Sequence, residues 1–119
     1  MTVGEALPRV CERLGEKALT VSTLRDELAE AEALFRQYRD EGKKAHATRQ
    51  SNRAKKLRRR IAANTTRAVI NLREDLEAAG RGDLIGPLVE FAKRCLARQD
   101  AYRQVNRLFL AKDREDTET

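Results

Sequence analysis

Nine Lys and Arg residues, Lys43, Lys44, Arg49, Arg53, Lys55, Lys56, Arg58, Arg59 and Arg60, fall within eighteen consecutive positions that hold no acidic residue. Side chains of these types are suited to neutralising phosphate oxygens: the guanidinium grips two at once, and the ammonium acts as a point charge. The charge is local. The 119-residue chain carries a formal +6, from 25 Lys and Arg against 19 Asp and Glu. Outside the block, 16 basic residues face 19 acidic ones, leaving about −3. A localised excess of this kind suits a surface that meets a polyanion.

The spacing within the block adds geometry. On a helix Arg49, Arg53, Lys56, Arg60 and Arg67 follow one another at four, three, four and seven residues, so they share one stripe. That stripe lies roughly 120° around from the apolar Leu57, Ile61 and Leu72, which leaves it in water once the core is packed. Between Arg49 and Arg60 it runs about 16 Å, room for several consecutive phosphates. The candidate nucleic-acid-binding set is therefore the nine block residues and Arg67. The block has no aromatic residue, which points to recognition of backbone rather than of bases and leaves RNA and DNA, single and double strand, open. Like charges four apart each cost a helix a few tenths of a kcal/mol. Ala45, His46, Ala47, Thr48, Gln50, Ser51 and Asn52 offer little packing, so this stretch is expected to be held loosely until an anion neutralises it.

The preceding segment offers part of the same charge a partner within the chain. Asp26, Glu27, Glu30, Glu32, Asp40 and Glu41 stand before Gly42, and a fold back at that glycine pairs Glu41 with Lys44, Glu32 with Arg53, Glu30 with Lys55 and Glu27 with Arg58. Exposed pairs of this type contribute ~0–1 kcal/mol each. Six acids do not balance nine bases, and Arg25, Arg36 and Arg39 widen the excess.

Other chemistry has little to stand on. His46 is the only histidine and has no carboxylate at helical spacing to orient it. Glu74 and Glu77 are three apart, but a di-metal bundle also needs Glu-x-x-His pairs. Cys11 and Cys95 are far apart in apolar stripes, without a Cys-x-x-Cys pair, and are expected to be buried reduced thiols. No catalytic residue, metal or cofactor is expected.

The elements that must position the block read as helices. Ala, Leu, Arg and Glu dominate, and aromatics are confined to Phe35, Phe91, Phe109, Tyr38 and Tyr102. Apolar spacing of three and four predicts a short helix over about 5–18, with Thr20, Ser22 and Thr23 as caps for a second helix that ends near Gly42. A third is expected over about 44–79, closed by Gly80 and Gly82, with Asp83 capping a last helix over about 84–112. Its inward side would be Ile85, Leu88, Ala92, Cys95, Tyr102, Val105 and Phe109. A helix-turn-helix over 10–32 fits poorly, because Asp26, Glu27, Glu30 and Glu32 carry the wrong sign against DNA.

The expected architecture is all-α: one domain over 1–112, an antiparallel helical bundle of about four helices, one short and three long, followed by a flexible acidic tail over 113–119. No apolar run reaches the ~18–20 residues of a membrane span, so a soluble, cytoplasmic protein without membrane contact is expected. In size, helix content and localised charge the chain is similar to the small helical subunits of CRISPR effector complexes, although it shares no motif with them, and to ribosome-associated or phage nucleoid-type proteins. The likeness implies a subunit of a larger nucleoprotein assembly. The acidic segments beside the basic block also allow contacts with other protein subunits or between copies. The rival reading is a structural or adaptor protein whose basic face docks an acidic protein.

Overall fold

The computed structural model describes residues 8–107. Two long helices, α1 (Pro8–Asp40) and α2 (Lys44–Ala78), form an antiparallel hairpin. A single 3₁₀ turn (Gly82–Leu84) leads into α3 (Ile85–Leu96), and a corner over 97–100 leads into α4 (101–107). Among the described residues there is no strand. The described residues thus form an all-α bundle of two long helices, the short α3 and the helical stretch 101–107.

The expected break at Thr20, Ser22 and Thr23 is absent. Thr20 and Thr23 turn their hydroxyls back onto the carbonyls of Glu16 and Leu19, four residues earlier, a bond that lets a hydroxyl remain inside a helix. Val21 and Leu24 are buried and hold the same stretch onto the core. No turn interrupts residues 10–32, which removes the helix-turn-helix reading.

Both hairpin junctions end on glycine, as the sequence predicts. Gly42 and Gly80 take φ of +74° and +71°, the left-handed conformation that costs a residue with a Cβ about 1 kcal/mol or more. At the first, Lys43 N–H donates to Tyr38 O at 2.9 Å and Gly42 N–H to Arg39 O at 3.1 Å. At the second, Arg81 donates to Leu76 O at 2.8 Å and Gly80 to Glu77 O at 3.0 Å. Both are Schellman closures, which satisfy carbonyls the helix itself leaves free.

The last helix differs from expectation. It breaks at 97–100, where the sequence has neither glycine nor proline. Side chains of α1 hold the break open: Arg25 Nε donates to Leu96 O at 3.0 Å, and Ser22 Oγ accepts the Tyr102 N–H at 2.7 Å. Asp100 supports the new start by accepting from Gln104 Nε2 at 2.9 Å. The break also rotates the inward face. Ala101 and Val105 are buried, whereas Tyr102, expected inward, is 40% exposed. Phe109 and the segment 113–119 lie outside the described residues.

The core gathers at the open end of the hairpin, where Val21, Leu72, Leu76, Leu96 and Val105 are sealed from solvent. Cys11 and Cys95 are thiols only half-buried at its edge, not fully buried as expected. Burial pushes the Cys95 thiol up, against the opposing pull of Arg94 and Arg98. Length dictates the rest of the shape. The 35 residues of α2 extend about 52 Å and the 12 of α3 only about 18 Å. α3 and α4 therefore cover one end of a body measuring 60 × 26 × 18 Å. The α3–α4 corner is tied to α1 at Ser22, Arg25 and Asp26. From there the hairpin runs on to Gly42, about 24 Å, as a two-helix arm.

Candidate nucleic-acid interface

The basic block lies on the second helix of this arm, with Lys43 just before it. It is helical from Lys44 onward, including the stretch expected to be loosely held, because its inward residues dock on α1. Ala47, Ala54 and Leu57 are buried on α2, and Ala31 is buried on α1. This inward face of three alanines and Leu57 leaves the long cations outside.

Arg49, Arg53, Lys56 and Arg60 come together, as their spacing predicts. They line one groove of about 450 Å³ with Asn52, Leu57 and, from α1, Glu27. Arg67 continues the line on an exposed position of α2. Lys44 and Lys55 do not join this groove. They face a second cavity of about 450 Å³ nearer the turn. Arg59 is exposed on α2.

The acidic residues of α1 and the turn after it neutralise only a minority of the block. Arg53 Nη1 reaches Glu30 Oε1 at 3.6 Å, Arg58 Nη2 reaches Glu32 Oε1 at 3.6 Å, and Lys43 Nζ reaches Glu41 Oε2 at 3.1 Å. The pairing differs from the expected one. Glu32 takes Arg58 rather than Arg53, Glu30 takes Arg53 rather than Lys55, Glu41 takes Lys43 rather than Lys44, and Glu27 borders the groove instead of meeting Arg58. Helix rotation sets which flank of α2 each base occupies, and a register sum alone does not contain it. Among the described residues, Lys44, Arg49, Lys55, Lys56, Arg59, Arg60 and Arg67 have no carboxylate within 4.0 Å.

The arm also holds aromatic groups that inspection of the block alone misses, because they come from α1. Tyr38 lies against His46, ring centroids 5.1 Å apart and tilted 32°. The Lys43 ammonium is 5.9 Å from the Tyr38 centroid, and the Arg39 guanidinium is 5.7 Å from that of Phe35. Phe35 and Tyr38 follow Leu24, Leu28 and Ala31 at spacings of four and three, so their spacing reads as one inward seam. The signal lay opposite them. Ala47, Thr48 and Ser51 are too small or too polar to cover two rings, so both stay half-buried at the rim.

Beside this cluster, hydrogen bonds from Gln37 and then Lys43 hold the Glu41 carboxyl below the usual carboxylate range. Glu41 therefore stays anionic at neutral pH and keeps Lys43 at the turn. Among the described residues no three His, Cys, Asp or Glu side chains converge to hold a metal ion, and no helix is long and apolar enough to cross a membrane. The site can thus present fixed positive charge along a helix face, with aromatic rings at one end. Comparison of the chain with known protein families, curated proteins and solved structures yields no match.

Proposed function

We propose that the protein is a non-catalytic, cytoplasmic nucleic-acid-binding module that grips backbone phosphates along α2 and works as a subunit of a larger assembly, with other protein subunits or further copies of itself. The single observation that carries the reading is charge left unpaired along one face of α2. Arg49, Lys56 and Arg60 line one groove without a carboxylate partner among the described residues, and Arg67 extends the line. From Arg49 to Arg67 the helix rises about 27 Å, comparable to eight base-pair steps of ~3.4 Å.

Fluorescence anisotropy with labelled single- and double-stranded DNA and RNA across a salt series tests this. Each neutralised phosphate contributes ~0.7–0.9 to the log-log salt slope. The Arg49, Arg53, Lys56, Arg60 to Gln variant should therefore lose about three units of slope. Binding of none of these polymers at low salt overturns the proposal. Preferential binding of an acidic polypeptide of equal charge favours instead an adaptor that docks an acidic protein.

A further inference from the structure

The arm portion of α2 has basic surfaces on two flanks rather than one. The groove formed by Arg49, Arg53, Lys56 and Arg60 lies on one side. The second cavity, bordered by Lys44 and Lys55 with Phe35 and Arg39 of α1, lies on the other. At 100° per residue the two sets are centred about 140° apart around the helix axis. Asn52 is exposed and borders both cavities, so it marks where they approach across the outer surface.

We infer, resting on the phosphate-binding reading above, that the ligand is a single strand which crosses the outer face of α2 at Asn52 and places one unpaired base in the Phe35 cavity. Base pairing makes the selection. A helix with its side chains is about 10–12 Å across, so it fits the major groove of a duplex with phosphates on both flanks, and charge alone does not decide. A duplex keeps its bases stacked and paired, whereas a single strand has a base free to enter the Phe35 cavity while its phosphates reach both flanks.

The cavity has the chemistry of a base site rather than of a simple anion site. Phe35 provides a half-buried ring and Arg39 a planar cation over it, and both kinds of surface stack on bases. Thr48, Ser51 and Asn52 provide hydroxyl and amide groups for the edge of a base. Lys44 and Lys55, free of described carboxylates, stand ready for the phosphates on either side. The pocket takes any base, because stacking uses the π-face that all bases share.

The test compares three labelled ligands by anisotropy: a short single strand, the same strand with abasic sites, and the corresponding duplex. The proteins are the wild type, Lys44→Gln with Lys55→Gln, and Phe35→Leu, each checked for unchanged helicity by circular dichroism. The wild type should bind the base-bearing strand at least about tenfold more tightly than the abasic strand, and Phe35→Leu should abolish that difference. Should Phe35→Leu lose helicity, Arg39→Gln on the same ring is the substitute. The double lysine variant should lose about 1.4 units of salt slope on the single strand, and Phe35→Leu should leave duplex binding unchanged. Equal binding of base-bearing and abasic strands, or an equal loss of duplex affinity in Phe35→Leu, overturns this inference alone. Binding of no polymer overturns the phosphate-binding reading and this inference with it.

Discussion

Arg13 Nη1 donates to Asp75 Oδ1 at 2.6 Å, joining α1 to α2 across 62 residues of sequence at the open end of the hairpin. Asp75 is buried and its other oxygen, Oδ2, has no hydrogen-bond partner among the described residues, while Arg9 lies 3.9 Å from Oδ1. A carboxylate in this position is tolerable only with its arginine in place. Arg13→Gln should destabilise the fold by about 2 kcal/mol, less than for a sealed pair because Arg13 keeps 30% side-chain exposure. Arg13→Met combined with Asp75→Leu should recover most of that loss in urea unfolding, since no buried charge is then stranded.

Ser22 accepts the backbone N–H of Tyr102 and so caps α4 from a different helix. Ser22→Ala should cost about 1 kcal/mol, the usual value of a lost cap. Native-state hydrogen exchange should locate the loss in 101–107 rather than spread it along α1. Uniformly faster exchange would place Ser22 in the global core instead.

Gly15 is buried in α1, and among the described residues a Cβ built there meets only Tyr102 Cε2, at 3.9 Å, an ordinary contact. Gly15→Ala should raise stability by roughly 0.5–1 kcal/mol, because the unfolded chain loses freedom and the helix loses nothing. A lower melting temperature would mean that α1 and α4 approach more closely than this distance.

Three carboxyls held below the usual range each sit at a chain reversal. Glu41 is held there by Gln37 and Lys43, Asp83 by Arg81, and Asp100 by Gln104 and then Arg98. A depressed pKa in the fold means that the unfolded chain binds more protons, so stability rises with pH through this window. The contribution is present above about pH 4.5 and is lost as the pH falls through the carboxylate range toward pH 3. The melting temperature should drop over that interval, and Glu41→Gln with Asp83→Asn and Asp100→Asn should flatten the drop.

The four-residue Gln variant of the Arg49 groove should fold at least as stably as the wild type. It removes like charges three and four apart on one helix, each worth a few tenths of a kcal/mol, against the loss of one exposed Arg53–Glu30 pair. Thermal unfolding reads this directly, and a melting temperature lowered by several degrees would mean that these cations stabilise the arm rather than wait for a ligand.

Local features were legible in the sequence wherever one residue type has one physical answer. Gly42 and Gly80 end helices because only glycine enters the left-handed region freely, and the Leu57, Ile61 and Leu72 stripe, buried as predicted, turned the Arg49–Arg60 line outward. Thr20 and Thr23 misled because a hydroxyl can cap a helix or bond back inside one, and the choice rested on Val21 and Leu24 reaching a core made by distant segments. The break at 97–100 has no local signal, since its free backbone groups are satisfied by Arg25 and Ser22, more than seventy residues earlier. In the same way Phe35 and Tyr38 read as core from their spacing, and only the small residues packed opposite them leave their rings beside the basic block. Sequence by itself determined the all-helical class, the glycine ends at Gly42 and Gly80 and the localised charge, because propensity, handedness and charge belong to single residues and their near neighbours. Tertiary structure alone decided the projecting arm, the ion-pair register and the meeting of aromatic with basic groups, because these depend on the relative lengths and rotations of helices that only packing sets.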